Sequence, residues 1–157
     1  MKDIAYGFAF SFVLDKLRHS LIVDLRQQAY ILATVRHESA NTFMPVKEYG
    51  SMAYLTSKPY FPFIGRGFIQ LTHKTNYEKF GKLLGVDLFN NMELACEPET
   101  AWKILELGMT RGLFTGKKLD DYFNDEITDY VNARKIVNGL DQCGLIAHYA
   151  EEYFLML

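Results

Sequence analysis

The spacing of apolar residues predicts helices in the first part of the chain. From Asp24 to about Ala40, apolar side chains recur at the i, i+4, i+7 and i+8 positions of one helical face, and Asp24 is a suitable N-terminal cap. Residues 3–18 alternate large and small side chains, as a strand would, yet Phe8 and Phe12 keep the i,i+4 spacing of a helix. We favour a helix for that segment as well.

Helices are also predicted in the second half of the chain. Thr72 can cap a helix over 73–84 that ends at Gly85. Pro98 suits the first turn of a helix that runs to Gly112. An apolar stripe over 127–138 predicts another helix, stopped by a glycine, and Asp141 opens a last one through Tyr153.

A small β element is predicted in the middle of the chain. Residues 41–66 hold three of the four prolines, so we expect an irregular loop with room for short strands. The segment 68–72 then alternates, which places Ile69 and Leu71 on one face of a strand and Gln70 and Thr72 on the other. The pattern predicts five or six helices with a small β element, a mainly α fold class.

Length and composition narrow the class of protein. The chain has 157 residues, about the size of one domain, so we expect a single domain over 1–157. With 49% apolar residues and 12 Phe, 10 Tyr and 1 Trp, it can bury a substantial core. A net charge of −2 argues against a nucleic-acid binder and against a polybasic membrane-surface protein.

The sequence indicates no metal site, no membrane span and no leader. Cys96 and Cys143 lie in no metal-ligand spacing and are expected to be free, buried thiols. The apolar stretch 4–14 is shorter than the roughly 20 residues that cross a bilayer, so no stable membrane insertion is expected. Asp3 and the charged residues at 15–18 do not fit a secretory signal, so we expect no cleaved leader.

Glu38 is the first candidate for chemistry. His37-Glu38 suggests a zinc protease motif, but position 41 holds Asn instead of the second histidine. Glu38 shares a helical face with Ile31 and Val35, so it should be partly desolvated, which favours the protonated form that a general acid needs. The alternative is a solvated glutamate at a helix end, paired with Arg36 or Lys47.

Glu48 follows in the loop, where the chain can fold back toward the first carboxylate. Two carboxyl groups about 6.5 to 9.5 Å apart suffice for glycoside hydrolysis with an attacking water. The alternative for Glu48 is a surface loop residue.

Gln70 and Thr72 would present an amide and a hydroxyl, which suit a sugar or a water. The alternative is that both are ordinary solvated groups of an edge strand. Asn76 follows Thr72 at the i,i+4 spacing, and Arg134 and Asn138 share that spacing; taken singly, each of these residues suits a surface or capping role.

Taken together, four segments resemble glycoside hydrolase family 19, and the phage endolysin branch more than the plant chitinases. They occur in the family's order and cover about residues 25–155. The segments are His37-Glu38-Ser39, Glu48-Tyr49-Gly50, Gly65 to Thr72 with Asn76-Tyr77, and Arg134 to Gly139.

The resemblance implies a lysozyme-like α-helical domain with a small β element and a substrate cleft. It implies inverting hydrolysis of β-1,4-linked amino sugars, with Glu38 as general acid, Glu48 as general base and Thr72 holding the water. The implied substrate-binding residues are Tyr49, Arg66, Gln70, Asn76, Arg134 and Asn138. Ser39 stands where Thr is usual, and His73 where many chitinases carry an aromatic residue.

The expected function is therefore a peptidoglycan hydrolase of the muramidase type, an endolysin acting on the bacterial cell wall. A chitinase, a wall-binding protein without turnover and a lytic transglycosylase are the alternatives. The resemblance implies no metal and no organic cofactor, and we expect a monomer. We also expect synthesis in the host bacterial cytoplasm, followed by release onto the periplasmic wall through a partner pore.

Overall fold

The computed structural model describes residues 2–157, with side chains from residue 6 onward. It is built mainly of α-helices joined by loops and short 3₁₀ turns, with one two-stranded sheet, and this confirms the expected fold class. The helices are α1 Lys2–Arg18, α2 Leu25–Glu38, α3 Met52–Thr56, α4 Lys74–Leu84, α5 Pro98–Arg111 and α6 Cys143–Met156, and the strands are β1 Val46–Lys47 and β2 Arg66–Gly67. Three 3₁₀ helices lie at Met92–Cys96, Leu119–Asp121 and Asn132–Ile136.

The chain forms two compact units. The first contains the residues up to Phe43 together with Glu106–Leu157, and the second contains Met44–Leu105. The expectation of one catalytic domain over 1–157 stays a prediction. No helix in residues 2–157 is long and apolar enough to cross a membrane.

The first unit is organised around α2, which packs against α6. Residues 27–35 of α2 are all buried, because its apolar stripe is wide enough to face neighbours on more than one side. The predicted helix and its cap are confirmed, since the carboxylate of Asp24 accepts a hydrogen bond of 2.8 Å from the backbone N–H of Arg26. The predicted helix over 3–18 is confirmed as α1.

Arg26 connects the start of α2 to a distant loop. Its guanidinium binds both carboxylate oxygens of Asp24. Its Nη1 also donates to the carbonyls of Asn124 and Ile127 and to the hydroxyl of Thr128, at 3.1, 3.3 and 2.7 Å. One side chain therefore holds together segments about 100 positions apart.

The predicted helix over 127–138 is wrong, because only Asn132–Ile136 turn helically, as a 3₁₀ helix. Side chains occupy the amides that a longer helix would use. Asn124 Oδ1 accepts hydrogen bonds from two amides, those of residues 126 and 127, and Asp129 Oδ1 accepts one from Asn132 N. The last helix is confirmed, although it begins at Cys143 instead of Asp141 because Gln142 is left-handed, with φ 55°.

The predicted strand over 68–72 is also wrong. The strand is Arg66–Gly67, which pairs antiparallel with β1. An isolated antiparallel bridge joins Arg66 to Leu71, so the residues between them form a turn in which Gln70 has φ 54°. The alternation that suggested a strand reflects the burial of Ile69 and Leu71 beside this turn.

Two more expectations for the second unit need correction. The loop 41–66 contains the short helix α3, which Ser51 caps by accepting from Tyr54 N. Thr72 does not cap α4, because its hydroxyl donates to Gln70 O and the capping position is His73.

The predicted end of α4 is confirmed at Gly85, which is left-handed with φ 67°. The expected helix from Pro98 is confirmed as α5.

The cysteines are free, as expected. Cys96 and Cys143 are both half-buried, however, and not buried.

Candidate active site

Glu38 lies at the end of α2 and forms an ion pair. Its side chain is 16% exposed, which confirms the expected burial next to Ile31 and Val35. Arg134 Nη1 donates to Glu38 Oε1 at 2.5 Å, and Arg134 itself is only 3% exposed. The guanidinium is oriented by a second bond, from Nε to the carbonyl of Asp141 at 3.1 Å. Two residues singled out separately in the sequence are thus direct partners.

The alternative partners expected for Glu38 are engaged elsewhere. Arg36 binds Asn41 and Glu152, and its guanidinium lies 3.7 Å from the centre of the Tyr149 ring. Lys47 binds Glu93 at 2.7 Å. The interpretation of Glu38 as a solvated residue paired with either cation is therefore wrong.

A tight turn after α2 fixes the position of Glu38. Ser39 is fully buried, and its hydroxyl accepts a hydrogen bond of 2.9 Å from Phe43 N. Ala40, Asn41 and Phe43 all have positive φ, which turns the chain back immediately after the helix. The hydroxyl of Ser39 therefore closes this turn.

Asn138 follows Arg134 by one helical turn and is exposed. Its backbone N–H donates to Arg134 O at 3.0 Å, and its Oδ1 accepts from Gly139 N at 2.8 Å. The structure thus connects Glu38, Arg134 and Asn138 within the first unit.

Glu48 directly follows β1 in the second unit and is half-buried. Its Oε1 accepts from Tyr60 Oη at 3.1 Å and its Oε2 from Gly65 N at 3.0 Å, while its own N–H donates to Gly65 O at 2.7 Å. Burial, and then the hydrogen bond to Glu48, raise the pKa of Tyr60, so this phenol remains a donor at neutral pH. Glu48 is an anchored carboxylate and not a loose loop residue, whereas the neighbouring Tyr49 is 97% exposed.

Gln70, Thr72 and Asn76 form a chain of hydrogen bonds beside this segment. Gln70 Nε2 donates to Val46 O at 2.9 Å, Thr72 Oγ1 donates to Gln70 O at 2.7 Å, and Asn76 Nδ2 donates to Thr72 O at 2.8 Å. The expected common strand face does not exist, but the three half-buried side chains are brought together by the turn. The Thr72 oxygen keeps its capacity to accept a hydrogen bond from a water.

Arg66 is buried and bonded to protein atoms. Its guanidinium donates to the carbonyls of Pro62 and Ile64, to the Tyr77 hydroxyl and to the Glu93 carboxylate. Burial raises the pKa of Tyr77 to about 12, which keeps that hydroxyl protonated. Arg66 supports the site by holding the chain around Glu48 and β2, and its role in binding substrate stays a prediction.

Gly67 shows why the Gly-Arg-Gly segment requires glycine. Its φ is 91°, and a Cβ built there would lie 3.0 Å from the carbonyl oxygen of Ala95. The second glycine therefore serves a close backbone contact.

Sequence reasoning missed Tyr60, the side-chain donor to Glu48. The available signal was the run Tyr60-Phe61-Pro62-Phe63, an aromatic cluster in a segment interpreted only as irregular loop.

The comparisons with known proteins concern the part of the chain that contains both glutamates. Residues 30–105, which include Glu38, Glu48 and the segment up to Asn76, match the family model of class I chitinases in glycoside hydrolase family 19. Chitinase 11 of Oryza sativa subsp. japonica is 35% identical, over 53% of this chain. The chain spans only 38% of that relative's length.

Two solved structures share the fold. Chitinase C from Streptomyces griseus HUT6037 superposes with a TM-score of 0.61 at 23% identity, covering 83% of this chain and 58% of that one. A bacterial family 19 chitinase gives a TM-score of 0.61 at 21% identity, covering 94% and 84%. The expected lysozyme-like helical fold is thereby confirmed, and residues 30–105 of the chain match glycoside hydrolase family 19.

Proposed function

We propose that this protein is a glycosidase that cleaves β-1,4 bonds between amino sugars with inversion. The observation that carries the proposal is the state of the two glutamates in the family-matched segment. Both are partly buried, and each is held by directed hydrogen bonds, Glu38 by Arg134 and Glu48 by Tyr60 and Gly65 N. Carboxylates held in this way suit catalysis, which depends on fixed geometry.

In the proposed reaction, protonated Glu38 transfers its proton to the glycosidic oxygen as the bond from that oxygen to the anomeric carbon breaks. Glu48 removes a proton from a water that attacks the anomeric carbon from the opposite face. The Thr72 oxygen can accept the second hydrogen of that water. Glu38 is left as a carboxylate and Glu48 as a carboxylic acid, and exchange of protons with solvent restores both.

Arg134 suits the carboxylate that Glu38 becomes after it gives up its proton. The ion pair in the structure corresponds to this product form. Arg134 therefore acts on the reaction as a positioning residue, through Glu38.

We further propose that the polymer is peptidoglycan, so that the protein is a muramidase-type endolysin of a phage or prophage. The likeness of the four sequence segments to that branch supports this choice. The alternative polymer is chitin, which the names of the similar proteins favour. Release from the host cytoplasm through a partner pore belongs to the same proposal, and export of the protein on its own by the general secretion pathway would contradict it.

The test compares the wild type with Glu38→Gln, Glu48→Gln and the control Glu152→Gln, an exposed glutamate that pairs with Arg36. Each protein is incubated with purified Gram-negative sacculi and with chitin oligomers, and released reducing ends are counted. Mass spectrometry distinguishes hydrolysed products from anhydro products, and NMR of the first product identifies the anomer.

Hydrolysed products in the α configuration from the wild type and the control, with loss in both site variants, would support the glycosidase. The new reducing sugar would name the bond. Anhydro products would indicate a transglycosylase instead. Binding to sacculi without products from any protein would contradict the enzyme proposal.

A further inference from the structure

An open cavity of about 350 Å³ lies within the second unit. Its wall includes Tyr60 and Phe61 on one side and His73, Lys74 and Thr75 on the other. Tyr60 connects this cavity to the candidate site, because its hydroxyl donates to Glu48 Oε1 at 3.1 Å. A substrate that presents its bond to Glu48 would therefore place a neighbouring substituent near the cavity.

Two rings fix the position of the cavity relative to Thr72. The rings of Tyr60 and His73 meet edge to face with their centres 5.2 Å apart. His73 directly follows Thr72, and its backbone N–H donates to Phe63 O at 2.9 Å. The wall of the cavity thus contains the side chain that binds Glu48 and the residue that follows Thr72.

The lining of the cavity is suited to a negatively charged group. It carries the ammonium of Lys74, the hydroxyl of Thr75 and the imidazole of His73, and none of the lining residues in the described part of the chain is acidic. Lys74 Nζ lies 3.8 Å from the carboxylate of Glu78 and 5.2 Å from the centre of the Phe89 ring. Its side chain is 59% exposed, so these contacts are weak enough for the ammonium to exchange them for a ligand.

We infer that this cavity binds a carboxylate carried by the glycan, with Lys74 as the main contact. This inference rests on the proposed glycosidase function and specifies its substrate. Chitin is an uncharged polymer of N-acetylglucosamine and offers no such group. A glycan that contains muramic acid carries the carboxylate either on its lactyl group or on the attached peptide. Lys74 therefore favours an acidic wall glycan over chitin.

The test uses Lys74→Gln, the charge-preserving Lys74→Arg, and the control Lys82→Gln, an exposed lysine near the end of the same helix. Three substrates separate the sources of charge: intact sacculi, glycan strands freed of peptide by an amidase and so left with lactyl carboxylates, and neutral chitin hexasaccharide. The kcat and KM of each protein are measured at low and at physiological salt.

We expect Lys74→Gln to raise the KM for the charged substrates about threefold to tenfold at low salt, with kcat little changed. The effect should shrink at higher salt because the contact is exposed. Lys74→Arg should retain most of the affinity, and Lys82→Gln should match the wild type. A raised KM of Lys74→Gln on the stripped strands would show that the bound group is the lactyl carboxylate. A raised KM on intact sacculi alone would show that it is a carboxylate of the peptide.

An equal effect of Lys74→Gln on chitin hexasaccharide, or no difference from Lys82→Gln, would overturn the inference. If the wild type cleaves no charged glycan, equilibrium binding of Glu38→Gln and Glu38→Gln/Lys74→Gln to both charged substrates replaces kinetics. Weaker binding of the double variant would then support the inference, and equal binding would overturn it. Failure of the enzyme proposal and failure of this inference are thereby distinguishable.

Discussion

Arg134 and Glu38 are 96 positions apart in the sequence, yet the guanidinium of one lies 2.5 Å from the carboxylate of the other. Both side chains are shielded from solvent, which separates this pair from the exposed ion pairs of the chain. A shielded pair that loses one member leaves the other charge without compensation, and that is more costly than losing a surface contact.

Replacement of Arg134 by Met should lower the free energy of unfolding by about 3 kcal/mol, since Glu38 then keeps a poorly solvated charge. Adding Glu38→Gln to that variant should recover part of the loss. Urea denaturation of the two single variants and the double variant at pH 7 measures the coupling. Additive effects within about 0.5 kcal/mol would show that the two groups do not depend on each other.

Tyr60→Phe should slow kcat about fivefold, because one hydrogen bond of about 1 kcal/mol to Glu48 is lost while the ring is kept. The measurement is reducing-end release from the substrate that the wild type cleaves. Tyr54→Phe is the control, because it removes the same hydroxyl group from a tyrosine whose ring lies against Lys58. Equal rates for Tyr60→Phe and the wild type would show that this bond does not contribute to turnover.

Asp24→Ala should lower the free energy of unfolding by about 1 to 2 kcal/mol through loss of the helix cap. The hydrogen bond from Arg26 lowers the pKa of Asp24 below its usual 3.8. A carboxyl with a lowered pKa in the folded state stabilises the fold fully above its unfolded pKa, and this contribution is lost as the pH falls through the folded value.

The difference in Tm between the wild type and Asp24→Ala should therefore be constant above about pH 5 and should shrink below about pH 4. Thermal melts from pH 2 to 7 test this. Asp15→Ala, at an exposed position, is the control and should change little. A difference that grows as the pH falls would contradict the assigned sign.

Arg66→Lys should lower the free energy of unfolding by about 2 to 4 kcal/mol, because a single ammonium cannot replace the planar guanidinium at four acceptors. Chemical denaturation measures it. Lys82→Arg, at an exposed position of α4, is the control, because it exchanges the same two residue types where few contacts are made. A change below about 0.5 kcal/mol in Arg66→Lys would show that the number of bonds at this site is unimportant.

Local signals predicted the helices well where capping and periodicity agreed. Asp24, Gly85 and Pro98 each mark a helix boundary through chemistry that acts within a few residues, and each boundary was predicted correctly or within one residue. The family resemblance also identified Glu38 and Glu48, which the structure holds by directed bonds.

Long-range contacts explain two of the failures, the wrong strand over 68–72 and the missed partner of Glu38. The turn at 67–70 depends on a bridge from Arg66 to Leu71, and Arg66 is held by Glu93, which is 27 positions away. The partner of Glu38 could not be found from spacing, because no periodic pattern connects residues 96 positions apart. Such pairings follow from the tertiary fold and leave little trace in a local window.

The bonds from Arg26 to residues 124–128 have a consequence for the order of folding events. They close a loop of about 100 residues. The entropic cost of that closure is offset only by contacts that exist once most of the first unit has formed. We therefore expect the segment around Thr128 to order last during refolding and to open first in the native protein. Hydrogen exchange should be fast at the amides of Glu126 and Ile127 and slow in the middle of α2.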